Sequence, residues 1–518
     1  MNPVTVERAL ENVNVREVYD YIVIGAGSAG CVVAARLSEN PDMQVLLLEA
    51  GGPDTHEAVE SPVMWPTLLG GELDWGYRTI PQRHAANRVI PCPRGKMLGG
   101  CHSHNANAWV RGHRTDFDNW AYQGNPGWDF KSILPIYKKI EDYAGGANAY
   151  RGAGGPLYME LPRDPNPLAQ AFLAAGRDIG LPVVEDNNAA EMEGVSYFNL
   201  TIKNGKRHSV ARAYLYPAMQ RPNLTVLMYA ETCRLVCEGT HCRGVEYTLR
   251  GEVKTTRAAR EIVLCAGAFG SPRVLLLSGI GPEEDLKRLG IPVVVNLPGV
   301  GRNLQDHVLS AGIQYEVHED LPTPKNNGGA STMWWRSDAK LLCPDIQTVI
   351  AEFPFATPEL AAQVPPNCYT IAPGLVRPAS RGHVQLTSSE PTADLEIDTN
   401  YLGREADVQA LLCAIDMCRD MGASAAFKAW RKREVMPGKR DKAGMLEFLR
   451  MSTSSFFHPT STCKMGIDDM AVVDPQLRVY GVSGLRVADA SIMPTVTTGN
   501  TNAPAVLIGE KAAAMMRS

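Results

Sequence analysis

The chain has 518 residues and carries 51 lysines and arginines against 56 aspartates and glutamates, a formal net charge of -5 at neutral pH. That balance offers no electrostatic attraction to nucleic acid or to an anionic membrane, so a small-molecule partner is expected. The length exceeds what one hydrophobic core usually organises, which points to two intimately connected domains.

In chain order, the segment from Met1 to Asp20 is interrupted by Glu7, Arg8, Glu11, Arg16 and Glu17 and lacks the continuous apolar core of a secretion signal. No later stretch reaches the ~20 apolar residues of a membrane span. The twelve cysteines, from Cys31 to Cys463, form no C-x-x-C pair and no zinc-spaced set, so reduced, mostly buried thiols and no metal are expected. Together these features predict a soluble, cytoplasmic protein.

Tyr19 to Ile24 is an apolar run that ends in Gly25-Ala26-Gly27-Ser28-Ala29-Gly30 and continues into Cys31-Val32-Val33-Ala34-Ala35-Arg36-Leu37. The pattern predicts strand, tight turn and helix, with the turn as a diphosphate site. Glycine permits the turn's backbone angles, lets a pyrophosphate approach the main chain and lets the helix pack on the strand. The helix N-terminus adds unpaired N–H groups and partial positive charge. Glycine turns alone are common in proteins that bind nothing, but a second strand, Gln44 to Leu48, follows here. Glu49 closes it about twenty residues past the last glycine, where a carboxylate can take ribose hydroxyls. The motif fits NAD and FAD alike.

From Pro53 to Trp75 the period is lost, and a loop or short helix bearing Trp65 is expected over the nucleotide domain. Pro93 to Gly112 then runs through Arg94-Gly95-Lys96-Met97-Leu98-Gly99-Gly100-Cys101-His102-Ser103-His104-Asn105-Ala106-Asn107, small and polar residues suited to backbone packed on a flat ligand, or to a plain surface loop. This stretch resembles the first signature of the glucose-methanol-choline (GMC) family of FAD oxidoreductases, R-G-x-x-x-G-G-[SC]-x-x-x-N followed by R-G. The second signature is matched by Gly267-Ala268-Phe269-Gly270-Ser271-Pro272 leading to Leu276-Leu277-Ser278-Gly279-Ile280-Gly281-Pro282, and the C-terminal block by Val473-Asp474-Pro475 and Gly484 to Pro494. The resemblance covers essentially the whole chain, is nearest to the choline oxidase branch, and implies FAD as cofactor.

The implied fold is α/β: a Rossmann-like FAD-binding domain with a second, substrate domain built on an antiparallel sheet with helices. Short strands are read at Asn223–Leu227, Cys233–Val236 and Gly244–Tyr247, and a buried strand from Glu261 to Gly267 meets the cofactor. Pro298 to Asn303 is a glycine-rich turn, with Leu304-Gln305-Asp306-His307 behind it, that hands the chain to the second domain. Beyond it, period-2 segments such as His383 to Thr387 predict an antiparallel sheet, and Ala406 to Met421 a helix on its far side. The expected division gives 1–155, 206–307 and 451–518 to the FAD domain and 156–205 and 308–450 to the substrate domain.

The resemblance also implies site residues. The cofactor would be held by Gly25, Gly27, Ser28, Ala29, Gly30, Glu49 and Ala50, by Gly99, Gly100, His104, Asn105 and Ala106, and by Thr232, Ala266, Asp489, Ala490 and Asn502. His458, in Ser454-Ser455-Phe456-Phe457-His458-Pro459, matches the active-site histidine, whose neutral ring would take the hydroxyl proton. Asn500 is read as its partner, donating to the substrate oxygen, with Asn502 nearer the flavin; the pattern admits the reverse. His104 matches the histidine that, in the choline oxidase branch, bonds covalently to the flavin methyl group, and His102 competes for that role. Trp65, Trp335 and Phe457 match aromatic positions around that branch's cationic substrate, although core packing explains single rings equally well. Its carboxylate position corresponds to Leu309, so a neutral primary alcohol, aromatic or benzylic, is expected rather than choline.

Oxygen is the expected electron acceptor. A dehydrogenase passing electrons to a quinone or another carrier is the first alternative, since Phe456 lies where it restricts oxygen access. A lyase or decarboxylase that uses FAD without net redox turnover is the second. A homo-oligomer is left open.

Overall fold

The computed structural model describes residues 15–517, so Glu7, Arg8 and Glu11 of the segment read as lacking a secretion signal lie outside the described residues. Two sheets organise the chain. The first runs in the order Leu224–Leu227, Val45–Leu48, Val18–Ile24, Glu252–Leu264, His241–Leu249, Ala230–Glu238, with Leu485–Val487 added beside Glu252–Leu264. Its central pairs are parallel, and Val45–Leu48 is buried along its length, as a strand covered on both faces must be. The 13-residue strand Glu252–Leu264 serves two roles. Its alternating, largely exposed first half forms an antiparallel ladder with His241–Leu249, and its apolar end, Ile262 to Leu264, enters the parallel core. The helix Gly30–Leu37 follows the glycine turn, and the C-terminal helix Asn502–Arg517 packs on it.

The second sheet is antiparallel, in the order Arg431–Met436, Ile313–Val317, Cys368–Leu375, Ile346–Ala351, Ser331–Trp335, Gly194–Tyr197. The helix Glu405–Ala423 packs against Cys368–Leu375 and buries Leu411, Ala414, Ile415 and Cys418 in a core separate from that of the first sheet.

Two expectations need correction. His383–Leu386 is a strand, but it pairs only with Leu395–Asp398, and Val384, Leu386, Leu395 and Ile397 pack into the core of the first sheet. Alternation identifies a strand and cannot name its partner. The return to the nucleotide side also comes later than residue 451, because Thr453–Ser455 still pairs with Val308–Ser310 in the second sheet. The chain leaves that sheet at Phe456, two residues before His458, so the candidate base sits on the crossing between the sheets.

Candidate active site

A cavity is lined by residues from both sheets and from the loops that join them. Gly25, Gly27, Ser28, Ala29, Glu49, Ala50, Thr232, Ala266, Asp489, Ala490 and Asn502 line its nucleotide side. Gly100, His104, Asn105 and Ala106 follow, and Trp65, Leu309, Phe456, Phe457, His458 and Asn500 line the other side.

The glycine turn is shaped by close approach. Gly25 has φ +97°, and a Cβ there would fall 2.6 Å from the Cys265 carbonyl oxygen. A Cβ on Gly30 would fall 1.8 Å from the carbonyl oxygen of Gly25, so this glycine lets the helix meet the turn without itself lining the cavity. Gly99 also stays off the wall: its N–H donates to the carbonyl of Ala26 at 2.7 Å and its φ is +84°, which ties the second glycine loop to the first. Glu49 accepts the N–H groups of Ala26 and Gly51, each at 2.8 Å, while burial pushes its carboxyl up to about 7.

These residues fit FAD on the structure's own terms. Gly27 has open space where a Cβ would stand, Glu49 presents a buried carboxyl to the cavity, and the side-chain oxygen of Asn502 is buried without a partner at the start of the C-terminal helix. The amide of Asn502 donates to the Ser28 hydroxyl at 2.8 Å. Asp489 accepts from the backbone of Gly267 and the hydroxyl of Ser271, which fixes the start of the helix Gly267–Leu277, capped by Ala266, just past the strand Glu252–Leu264.

His104 is buried, and its Nε2 lies 3.3 Å from the Asp74 carboxylate and 3.3 Å from the carbonyl of Leu68. Burial works against the Asp74 charge, but His104 and the N–H groups of Gly70, Gly76 and Arg94 outweigh it and hold this carboxyl at about 2. His102 points elsewhere, to the Thr201 hydroxyl and the N–H of Val210.

His458 is placed by its backbone and by two ring contacts. Its N–H donates to Asp306 at 2.8 Å, its Nδ1 lies 3.0 Å from Nδ1 of His307, and its Nε2 lies 3.1 Å from the Asn500 amide nitrogen. Asn500 in turn accepts from Gln347 at 3.1 Å. Burial first, then His307 and Arg94, lowers the His458 pKa well below the ordinary histidine value, so its ring is neutral at pH 7. Phe457, just before it, sits at φ +67°, a left-handed conformation unusual for a bulky residue. Its N–H donates to Ser455, its carbonyl accepts from Arg94, and Ser455 and Tyr401 both donate to Asp306.

Trp335 is a correction: it does not line the cavity. Within Ser331–Trp335 it shares a face with Met333, in the core of the second sheet, while Trp334 turns to the opposite face, against Phe198. Its place on the aromatic wall is taken by Phe353 and Phe355, with Phe353 6.4 Å from the Trp65 ring. Trp65 lies in the short helix Pro62–Leu68 and donates to the carbonyl of Asn327. Neither phenylalanine, nor Asp74 nor His307, was singled out from the sequence. Arg94 and His307 stood inside recognised motifs, whereas Asp74, Phe353 and Phe355 carry no local pattern.

Comparison with known proteins agrees with this architecture. Two family profiles described as GMC oxidoreductase match residues 19–309 and 378–509. The chain is 39% identical to the mitochondrial choline dehydrogenase of Homo sapiens, over 97% of this chain and 90% of that one. It is also 39% identical to the oxygen-dependent choline dehydrogenase of Brucella suis biovar 1 (strain 1330), over 95% and 94%. The crystal structure of pyridoxine 4-oxidase from Mesorbium loti superposes with a TM-score of 0.92 at 37% identity, covering 96% of this chain and 98% of that one. Among the described residues no helix is long and apolar enough to cross a membrane. A chain with this turn, these two sheets and these matches belongs to the GMC oxidoreductase family and is an FAD-dependent oxidoreductase acting on CH–OH donors.

Proposed function

We propose that this enzyme oxidises a neutral, ring-bearing primary alcohol to the aldehyde, with oxygen as electron acceptor. The observation that carries the reading is the composition of the wall beside His458. Trp65, Leu309, Phe353, Phe355, Phe456 and Phe457 line it, and the carboxylates of the cavity, Glu49, Glu231 and Asp489, are engaged elsewhere. Glu49 holds the glycine turn, Glu231 pairs with Lys96 and Arg273, and Asp489 binds Gly267 and Ser271. Leu309 is 2% exposed and packs with Ala372 and Phe456. A quaternary ammonium would meet ring faces but no counter-charge, and Arg94 adds positive potential at His458. A flat neutral ring loses little on leaving water and gains contact on several sides. The similarity to pyridoxine 4-oxidase, named for an alcohol carried on an aromatic ring, supports this class.

In this reading the neutral Nε2 of His458 takes the hydroxyl proton, and the Asn500 amide donates to the substrate oxygen as negative charge develops there. Arg94 favours that charge. When bound, FAD supplies the hydride acceptor. The apolar wall excludes water from the reacting carbon. An anaerobic screen of alcohols tests the proposal: benzylic and pyridyl carbinols should bleach the flavin absorbance, and oxygen uptake with peroxide release should follow on aeration. Bleaching without oxygen uptake would transfer the acceptor role to a quinone or carrier. The similarity to choline dehydrogenases supports choline as a second reading, and the same screen decides it.

The cofactor part of the reading is covalent attachment through His104. Its ring lines the cavity two residues from Ala106 and is held in place by Asp74 and Leu68. A bond from the His104 ring to the cofactor would release one proton and one hydride equivalent, and the acceptor used in turnover would take the two electrons of the latter. Flavin should therefore remain with acid-precipitated polypeptide, and His104→Ala should release it while the protein stays folded. Complete loss of flavin from the precipitated wild-type protein would overturn the attachment.

A further inference from the structure

A neutral imidazole carries its proton on one nitrogen, and only the Nδ1–H tautomer of His458 leaves Nε2 free to accept another. The 3.0 Å contact between the Nδ1 atoms of His307 and His458 requires one of them to donate. His307 is completely buried, and the backbone carbonyls of Thr497 and Val376 act on its ring, although neither closes a full hydrogen bond with Nε2. The two carbonyls raise the proton affinity of the ring, and Nδ1 is the nitrogen turned to His458, which leaves Nε2 to carry the His307 proton. His307 then presents an unprotonated Nδ1, and His458 must donate to it.

The other end of the chain of contacts agrees. Gln347 donates to the Asn500 oxygen, which turns the Asn500 amide nitrogen toward Nε2 of His458. An amide nitrogen facing Nε2 requires a lone pair on it. The reverse tautomer would need both amides turned over.

We infer that His307 is a positioning residue that fixes the proton of His458 on Nδ1 and so keeps Nε2 as the basic nitrogen in the resting enzyme. The inference rests on the proposed role of His458 as base. The charged groups around the pair are Arg94 beside His458, Arg377 acting on His307, and Asp306, which takes the backbone N–H of His458 and not its ring. The partner of the base is therefore a neutral imidazole rather than a carboxylate. The imidazolium formed in turnover keeps its Nδ1 hydrogen bond but gains no neutralising charge, which favours release of the proton.

Two variants of the holoenzyme separate this from simple packing. His307→Leu removes the acceptor, and His307→Gln restores a side-chain oxygen that can take the Nδ1 proton. Anaerobic flavin reduction followed against pH should be at least ~10-fold slower at its plateau in His307→Leu, with a displaced pH midpoint, and should recover to within a few-fold in His307→Gln. Nitrogen-15 spectra of histidine-labelled wild-type enzyme should show His458 protonated on Nδ1. The inference is overturned if that spectrum places the proton on Nε2, or if both variants keep the wild-type rate and pH profile. If His307→Leu does not fold, the wild-type spectrum decides. Should His458→Ala leave reduction unchanged, the assignment of the base falls; if it slows reduction while His307→Leu does not, only the role of His307 falls.

Discussion

Replacing His458 by alanine is expected to slow flavin reduction by at least ~10²-fold, the lower end of what a positioned acid-base group contributes. Alanine keeps the backbone N–H that Asp306 accepts, so the segment stays anchored while the ring is lost. Stopped-flow absorbance under anaerobic conditions reads the step directly, and an unchanged rate would remove His458 from the chemistry. Asn500→Ala should cost less, because it removes one hydrogen bond and leaves the base. The wild-type pH profile carries a sign as well. With the His458 pKa held below the ordinary value, first by burial and then by His307 and Arg94, the base stays neutral through the range near 6.5 where a free histidine protonates. Reduction should stay flat there and fall only at more acid pH. The same shift makes the unfolded chain the better proton binder, so this histidine's contribution to stability is complete above about pH 6.5 and declines as pH falls toward the folded value.

Neutral aromatic alcohols are expected to exceed choline in kcat/KM by at least ~10²-fold, the factor given by roughly 3 kcal/mol of uncompensated desolvation. Leu309→Glu should narrow that margin by ~10-fold or more, by placing a carboxylate among the rings. Leu309→Gln has the same shape without the charge and should not narrow it. Both variants bury a polar group in an apolar cluster, so their melting temperatures should fall together, and only the choline rate should separate them. Efficient choline turnover by the unmodified enzyme would show that the wall tolerates a cation and would sink the substrate assignment.

The glycine turn and Glu49 were legible in the sequence because their chemistry is local: strand, turn, helix and acid follow one another in a fixed order. Trp335 was not, because Met333, Trp334 and Trp335 are consecutive and apolar on a strand buried on both faces. Where both faces are covered, alternation stops distinguishing them. Phe353 and Phe355 lie in an irregular stretch after Ile346–Ala351, where no period directs a side chain toward a cavity. His383–Leu386 showed its strand character and concealed its partner, since pairing is a long-range choice. His307 read as part of a turn, and its meaning depends on a residue 151 positions away.

The left-handed backbone at Phe457 has a bearing on how this enzyme tolerates change. A bulky residue held there costs roughly 1–3 kcal/mol, so the segment acts as a loaded spring, latched by Ser455, Arg94 and the network on Asp306. Cutting a latch lets the spring relax, and the relaxation offsets part of the lost hydrogen bond while swinging the His458 ring out of register. Variants of this kind would lose little heat resistance and much of their turnover. A screen for heat resistance alone would pass them as nearly neutral, and the damage would surface only when catalysis was assayed.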